Sequence, residues 1–263
     1  MLPLASLLLL LAALGTALLV AVAARVLLRH RSTSEQSGRF PRSGRIGLRL
    51  AASVAIALAA FAIFIEVADN IIDRDQLFLG DTWIGNLVAP LRTGSGLAVA
   101  RVVSMLGLSI TMTALALVVV ATFYRRNWRM VTIGWALLFG GGKLVEFLLK
   151  HLFHRPRPGG SNVASYSYPS GHAMGAMIGY GILAYLLLRR AERPAGRVVV
   201  TAGAALIILA VGASRLVLGV HFFTDVVGGY AAGATWLLLS IAALEAERAQ
   251  FQAETAKRGV ADS

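Results

Sequence analysis

The sequence predicts an all-α, polytopic membrane protein. Of its 263 residues, 57% are hydrophobic and only 14% are charged, and the mean hydropathy is +0.72. A soluble domain is nearer to about 45–50% apolar. The apolar residues form long runs between short charged segments, and a run of about 20 apolar residues is long enough to cross a bilayer as a helix. Together these observations favour membrane-spanning helices over a soluble core.

Seven apolar runs are predicted to span the membrane. They cover residues 2–28, 50–65, 97–123, 130–149, 171–188, 198–213 and a last run that ends near 244. The first run lacks a basic segment before it, so we interpret it as a transmembrane helix and not as a signal peptide. Residues 29–49 form a basic loop, residues 50–244 the main domain, and residues 245–263 a charged tail expected to be partly disordered.

Arginine-rich connections predict the orientation of the chain. The 29–49 loop and the turns at 125–129 and 189–197 are basic, as is typical of cytoplasmic segments. The loops at 66–96, 150–171 and 214–221 then lie outside, with the C-terminus inside. The predicted location is a bacterial-type inner (plasma) membrane with the site on its outer face. Residues 77–88, in the acidic outer segment, are spaced for an interfacial amphipathic helix, although simple loop packing would also fit.

Composition excludes several classes of function. The chain has no cysteine, which rules out disulfides, thiolate catalysis, zinc–thiolate sites and iron–sulfur clusters. Its net charge of +12 comes from arginines placed between apolar runs, so nucleic-acid binding is not expected. Gly140-Gly141-Gly142-Lys143 lacks the spacing of a phosphate loop. Those glycines, and the repeats at 171/175/179 and 229/233, predict close helix packing instead.

The unusual polar residues concentrate in two of the outer loops. They are Lys150, Arg157, Ser170, Gly171, His172, Arg215, His221 and Asp225. The cationic members can bind the oxygens of a tetrahedral phosphate through charge-assisted hydrogen bonds. The Ser170 hydroxyl and the helix N-terminus at Gly171 also favour an anion.

The two histidines are expected to have different catalytic roles. His221 and Asp225 stand at i and i+4, so on a helix they share a face, and the carboxylate can orient the imidazole as a nucleophile. His172 would protonate the leaving oxygen and then activate water. A metal site is the alternative for the His–Asp cluster, but the neighbouring cations argue against it. We therefore expect neither a metal nor another cofactor.

Three segments carry a family resemblance. They read Lys150-x6-Arg157-Pro158, Pro169-Ser170-Gly171-His172 and Ser214-Arg215-x5-His221-x3-Asp225. Together they resemble the tripartite signature of the type 2 phosphatidic acid phosphatase superfamily, complete and in order. The resemblance implies a six-helix lipid-phosphatase core with one extra N-terminal transmembrane helix. It also implies that His172 is the acid and that His221 and Asp225 form the nucleophile pair. The phosphate-binding residues that it implies are Lys150, Arg157, Ser170, Gly171 and Arg215.

The expected activity is hydrolysis of a lipid phosphate at the outer leaflet through a phosphohistidine. Phosphatidic acid, phosphatidylglycerol phosphate and polyprenyl diphosphate all remain possible substrates. The expected partners are the lipid substrate and the bilayer, and the sequence predicts no oligomeric state. Three alternatives stay open: a lipid phosphotransferase, a vanadium-dependent haloperoxidase, and a lipid-binding or transport protein with a disused site.

Five further polar residues near the signature are expected to have secondary roles. His151 and His154 are expected to line the loop or a lipid headgroup, and Lys143 and Glu146 to have an orienting role near Lys150. Arg155-Pro156 duplicates Arg157-Pro158, and the spacing from Lys150 favours the second pair as the phosphate-binding one.

Overall fold

The computed structural model describes residues 42–73, 77–115, 117–118, 139–160 and 165–261 of the chain. Its α-helices are α1 Arg42–Asp73, α2 Leu77–Val88, α3 Gly94–Met105, α4 Ser109–Leu115, α5 Gly141–Phe153, α6 Gly171–Leu188, α7 Pro194–Val217 and α8 Phe223–Ala261. Short 3-10 turns occupy Ala89–Leu91 and Pro158–Gly160. The predicted all-α class is confirmed, since no strand occurs in these ranges.

Four helical segments are long and apolar enough to cross a membrane. They are Ala51–Ile72, Gly171–Leu188, Pro194–Val217 and Phe223–Ala243. A fifth candidate is the pair α3 and α4, which bend by 43° against each other. These segments correspond to five of the seven predicted spans. The predicted first span lies outside the described residues, and so do residues 130–138 of the fourth.

Two helices extend beyond the limits of the predicted spans. Helix α1 begins at Arg42 and ends at Asp73, so it includes the end of the predicted basic loop and the start of the predicted outer segment. Helix α8 continues to Ala261, so it includes most of the predicted charged tail, whose partial disorder stays a prediction. The physical reason is composition: the segment EAERAQFQAETAK consists mainly of strong helix formers. Polarity alone does not end a helix.

Glycines allow helices to approach closely near the predicted site. A Cβ added at Gly229 would lie 2.6 Å from the Ser170 carbonyl oxygen, and one at Gly233 would lie 2.9 Å from that of Met174. Helix α8 therefore contacts the backbone at the start of α6, as the glycine repeat predicts. In the triple glycine, side chains at Gly141 and Gly142 would meet the Trp236 ring and Ile178.

The bend between α3 and α4 lies beside the predicted site. The Thr111 hydroxyl donates to the Met105 carbonyl (2.6 Å) and the Tyr180 hydroxyl to that of Leu106 (3.0 Å), so carbonyls freed by the bend find partners. A Cβ at Gly107 would meet Val211 and the side chain of His172. Glycine at this bend therefore leaves room for His172.

The chain forms two compact units, one of Met1–Ala59 with Leu238–Ser263 and one of Ala60–Leu237. The second unit contains every predicted site residue. In its core, α6 packs along α7, and α7 also packs against α3. A buried apolar cluster joins these helices to α4; it consists of Met112, Ala176, Tyr180, Ile208 and Val211.

Helix α2 confirms the predicted helix at residues 77–88, whereas its interfacial location stays a prediction. Leu79, Trp83 and Leu87, spaced four residues apart, share one face and are 71%, 65% and 59% exposed. The exception on this exposed helix is Asp81, a charged residue that is only 5% exposed.

Candidate active site

His221 lies in the short turn between α7 and α8 and is buried. Gly219, with a φ of 67°, provides the left-handed residue that reverses the chain after α7. The prediction that His221 and Asp225 share a helical face is wrong in its geometry, because His221 precedes the first residue of α8 by two positions. The predicted contact itself forms: His221 Nδ1 lies 3.3 Å from Asp225 Oδ2.

Asp225 is held by the backbone of the turn as well as by the imidazole. The N–H of Phe222 donates to Asp225 Oδ2 at 2.9 Å, and the Asp225 carbonyl accepts from the N–H of Ser170 at 2.9 Å. The first contact satisfies a backbone donor at the start of α8. The second joins the α8 segment to the Pro169–His172 segment, so two of the three signature segments are linked by backbone.

The two neighbours of the His221 ring determine its tautomer. Asp225, a carboxylate, only accepts at Nδ1, whereas Arg157 Nη1, a guanidinium nitrogen 3.2 Å from Nε2, only donates. The proton therefore belongs on Nδ1, and Nε2 carries the lone pair. An imidazole in this state is ready to act as a nucleophile through Nε2.

The surroundings of His221 also favour its neutral form. Burial lowers the pKa of His221 below its usual value, against the opposing effect of Asp225. The positive charges of Arg157 and Arg215 add to the lowering. Because only the neutral imidazole has a lone pair on Nε2, a lowered pKa keeps the nucleophilic form populated at neutral pH.

Arg157 is held by acceptors on both sides of the site. Its Nη1 donates to the Val220 carbonyl (2.8 Å), while Nε and Nη2 donate to the carbonyl and hydroxyl of Ser165 (both 2.8 Å). Burial lowers the pKa of Arg157. These contacts fix the guanidinium beside Nε2 of His221, where an oxygen of a group bound to that nitrogen would lie.

Two buried polar atoms in the site have no hydrogen-bond partner among the described residues: Ser170 Oγ and Arg215 Nε. Ser170 is the N-cap residue of α6, a position where a serine oxygen usually accepts from the helix backbone, yet its side chain makes no capping bond. Arg215 is anchored through Nη1 to the Ser104 hydroxyl at 2.5 Å. Unsatisfied buried donors are costly, and both atoms are suited to an anionic ligand.

Lys150 lies at the end of α5 in a network with Glu146. Glu146 forms ion pairs with Lys150 (3.2 Å) and with Lys143 (2.7 Å), and the orienting role expected of Glu146 stays a prediction. A Cβ at Gly171 would overlap the Glu146 carboxylate. Glu146 therefore sits between the lysine and the N-terminus of α6.

His172 occupies the first turn of α6 and is half-buried. Its side chain lies against Gly107, and its ring is within electrostatic reach of Arg215 and His221. His151 and His154 are different: both are exposed, and their rings lie 5.8 Å and 4.5 Å from that of Tyr166. Any role of these two in substrate contact stays a prediction.

Sequence reasoning missed two residues behind the His221–Asp225 pair. Arg155, which the spacing argument set aside, donates to Asp225 Oδ1 at 2.6 Å and to Asp81 Oδ2 at 2.7 Å. Asp81 belongs to the outer segment, which the sequence marks only as acidic. No local signal identifies either residue, because the contacts join positions 70 and 74 residues apart.

In the part of the chain that the structure describes, no group of three His, Cys, Asp or Glu side chains is arranged to hold a metal ion. The arginines and lysine around His221 can instead supply positive charge to a bound anion. The metal-free chemistry stays a prediction.

Comparison with known proteins identifies the family. A family model described as the PAP2 superfamily matches residues 139–249. Phosphatidylglycerophosphatase B of Bacillus subtilis (strain 168) is 31% identical over 186 residues, which cover 68% of this chain and 84% of that protein. The crystal structure of the first transmembrane PAP2-type phosphatidylglycerolphosphate phosphatase from Bacillus subtilis has a TM-score of 0.63. It is 30% identical, and the match covers 70% of this chain and 93% of that one.

Proposed function

The chain belongs to the PAP2 superfamily of membrane lipid phosphatases, and from this premise we propose that it hydrolyses phosphatidylglycerophosphate through a phosphohistidine on His221. The substrate proposal rests on the printed activity of the Bacillus subtilis relatives. Phosphatidic acid and polyprenyl diphosphate, which also carry terminal phosphates on lipid tails, are the competing substrates that the experiment below distinguishes.

The mechanism is supported chiefly by the tautomer of the His221 ring, which has its proton on Nδ1 and its lone pair on Nε2. Asp225 accepts the Nδ1 proton, and Arg157 faces the Nε2 lone pair. In the first step Nε2 attacks phosphorus, the N–P bond forms, and the bond from phosphorus to the ester oxygen breaks. Arg157 then moves its donor from the imidazole to a phosphate oxygen. His172 gives its proton to the departing lipid oxygen.

The second step returns the enzyme to its starting state. Neutral His172 accepts a proton from water as the water oxygen attacks phosphorus. The N–P bond breaks, inorganic phosphate leaves, and the electron pair returns to Nε2 of His221. Asp225 stabilises the positive charge that the imidazole carries while it is phosphorylated.

The remaining site residues suit the charge of the transferred group. Arg157, Arg215 and Lys150 supply positive charge. The Ser170 hydroxyl has no hydrogen-bond partner among the residues that the structure describes, and the N-terminus of α6 begins at Gly171. Stabilisation of the equatorial oxygens by such groups is the main source of catalysis in phosphoryl transfer. The proposal therefore needs no metal ion.

We place the reaction at the outer leaflet on the basis of charge. The loops that carry the site connect predicted spans on the side opposite to the arginine-rich turns. The lipid tail would remain among the helices while its phosphate reaches the loops. We propose a bacterial-type inner (plasma) membrane as the location, because the matched relative and the matched transmembrane structure are from Bacillus subtilis.

Purified protein in detergent tests the proposal. Phosphate release is measured with phosphatidylglycerophosphate, phosphatidic acid and undecaprenyl diphosphate in mixed micelles, with and without excess chelator. We expect the highest kcat/KM with phosphatidylglycerophosphate and unchanged rates with chelator. A higher kcat/KM with another lipid would show that this lipid, and not phosphatidylglycerophosphate, is the preferred substrate. Loss of activity that magnesium restores would contradict the metal-free mechanism.

The matched variants are His221→Ala and His151→Ala. The first should abolish both turnover and trapped phosphoenzyme. The second removes an exposed histidine whose ring contacts the Phe147 carbonyl at 2.8 Å, and it should keep near-normal rates. Near-normal turnover by His221→Ala would show that another residue is the nucleophile, and transfer of phosphate to an added alcohol in place of water would favour a phosphotransferase.

A further inference from the structure

Behind the His221–Asp225 pair lies a buried cluster of three charged side chains. Arg155 Nη1 donates to Asp225 Oδ1 at 2.6 Å, and Arg155 Nη2 donates to Asp81 Oδ2 at 2.7 Å. The side chains of Asp81 and Asp225 are 2% and 0% exposed, and that of Arg155 is 13% exposed. One guanidinium therefore bridges two buried carboxylates, each of which would be strongly destabilised if left unpaired.

Asp81 also caps a helix to which it does not belong. It extends from α2, and its Oδ1 accepts from the N–H of Thr224 at 2.8 Å while its Oδ2 accepts from the Thr224 hydroxyl at 2.8 Å. Thr224 stands in the first turn of α8, next to Asp225. A carboxylate at a helix N-terminus satisfies an orphan donor and complements the helix dipole. Asp81 thus holds the start of the helix that carries Asp225.

The two oxygens of Asp225 have separate partners. Oδ1 faces Arg155 at 2.6 Å and the Ser167 hydroxyl at 3.4 Å. Oδ2 faces the N–H of Phe222 at 2.9 Å and Nδ1 of His221 at 3.3 Å. Because Arg155 occupies Oδ1, rotation of the carboxylate is restricted, and Oδ2 stays directed at the imidazole.

Arg155 is held on its other sides too. Its guanidinium lies 4.3 Å from the centre of the Phe222 ring, a cation–π contact. Its backbone carbonyl accepts from the N–H of Ser167 at 2.8 Å. Both terminal nitrogens are thus directed at carboxylates behind the site. This orientation distinguishes Arg155 from Arg157, which lies beside Nε2 on the opposite side of the imidazole.

We propose that Asp81 and Arg155 are a positioning pair, in which Asp81 holds Arg155 and Arg155 holds the Asp225 carboxylate against Nδ1 of His221. The inference rests on the proposed role of His221 as the nucleophile. It makes α2 part of the catalytic apparatus: the helix is exposed and apolar along Leu79, Trp83 and Leu87, and its buried carboxylate completes the support of the nucleophile. Neither residue touches the substrate.

Asp81→Asn is the most direct variant. An amide has one oxygen where the carboxylate has two, so it cannot accept from Arg155 and from both donors of Thr224. Arg155→Lys is the second variant, because one ammonium does not reproduce the two-sided contact of a guanidinium. Asp69→Asn is the matched control: it removes the same charge from an exposed position on α1.

Steady-state kinetics separate positioning from binding. With phosphatidylglycerophosphate micelles we expect kcat to fall about 10- to 100-fold in either variant, the loss typical of one hydrogen bond to a charged group. KM and inhibition by inorganic phosphate should stay within about twofold of wild type, because Arg157, Arg215 and Lys150 are unchanged. The double variant should be no slower than the slower single variant, as expected for residues that act as a unit.

A second measurement does not depend on activity. In protein labelled with ¹⁵N-histidine, the His221 signals are assigned with His221→Gln, and they report which ring nitrogen carries the proton. The wild type and Asp69→Asn should show one tautomer with the proton on Nδ1. Asp81→Asn and Arg155→Lys should show a mixture. Asp225, Arg157, Arg215 and His172 are the charged and titratable groups that face this ring, and all four are unchanged in these variants.

The two measurements distinguish failure of the pair from failure of the proposed function. A wild type that releases no phosphate, with altered His221 tautomers in the variants, would overturn the function and support the pair. An active wild type whose variants keep kcat within twofold and retain the single tautomer would overturn the pair alone. If Asp81→Asn does not fold, Arg155→Lys and Asp81→Glu provide the same comparison.

Discussion

Arg157 Nη1 lies 3.2 Å from Nε2 of His221, the nitrogen that would attack phosphorus. The guanidinium therefore acts on His221 before any anion binds, because it fixes the tautomer of the imidazole and contributes to the lowering of its pKa. Binding of a phosphate between the two would move the donor from nitrogen to oxygen. The residue that protects the nucleophile in the free protein would then stabilise the transferred group.

The first prediction concerns the pKa of His221. Arg157→Gln removes a positive charge that disfavours the imidazolium, so the pKa of His221 should rise. ¹⁵N-histidine NMR titration measures this change directly. In the wild type, kcat/KM should decrease on acidification with a midpoint below pH 6.5, which is about the pKa of an ordinary histidine. Arg92→Gln, which removes an exposed arginine that contacts the Leu216 carbonyl, should leave the titration unchanged. An equal rise in both variants would contradict the local explanation.

The second prediction compares two buried serines. The Ser170 hydroxyl has no partner among the described side chains and backbone groups, so Ser170→Ala should leave the melting temperature unchanged or raised. It should weaken inhibition by inorganic phosphate up to about tenfold. Ser167→Ala loses a hydrogen bond to the Pro156 carbonyl at 2.9 Å and should cost about 1 kcal/mol of stability. Thermal unfolding and phosphate inhibition measure the two effects. The reverse pattern would mean that Ser170 is structural.

The third prediction compares two glycines of α6. A methyl group at Gly171 would overlap the Glu146 carboxylate, whereas one at Gly175 would only make ordinary contacts at 3.9 and 4.0 Å. Gly171→Ala should therefore displace Glu146 from Lys150 and raise the KM for the lipid substrate. Gly175→Ala should be nearly neutral in stability and activity. Similar kinetics for the two variants would show that the Glu146 contact is unimportant.

The fourth prediction separates the two histidines. His172→Gln removes the proposed general acid and base, so turnover with phosphatidylglycerophosphate should fall about 10²- to 10⁴-fold. An aryl phosphate has a leaving group that needs no proton, so the variant should still form phosphoenzyme from it and should accumulate it, because the hydrolysis step is slow. The phosphohistidine is acid-labile and base-stable, so the label is quantified after rapid quenching in alkali and should be lost on acidification. Absence of label in His172→Gln would argue that His172 is needed for attack itself.

Local information in the sequence was sufficient for much of the architecture. Hydropathy identified the helices that are long enough to span a membrane, since it depends only on composition along the chain. The four-residue glycine spacing correctly indicated a face of α8 that packs closely against another helix. The eight predicted site residues lie near one another in the structure. Each signature segment is short and lies at a helix end, and these helix ends meet on the same side of the unit that contains them.

Tertiary structure decided how the site is supported. Arg155 and Arg157 both precede a proline, and the spacing from Lys150 favoured Arg157 as the phosphate-binding residue, but nothing in the sequence indicated which residues Arg155 contacts instead. Those contacts form because Asp225 and Asp81, 70 and 74 positions distant, offer carboxylates to Arg155. The position of His221 before α8, and not within it, likewise follows from the turn at Gly219. Contacts between distant segments depend on how helices pack, and buried charges are satisfied by whichever partner the packing brings within reach.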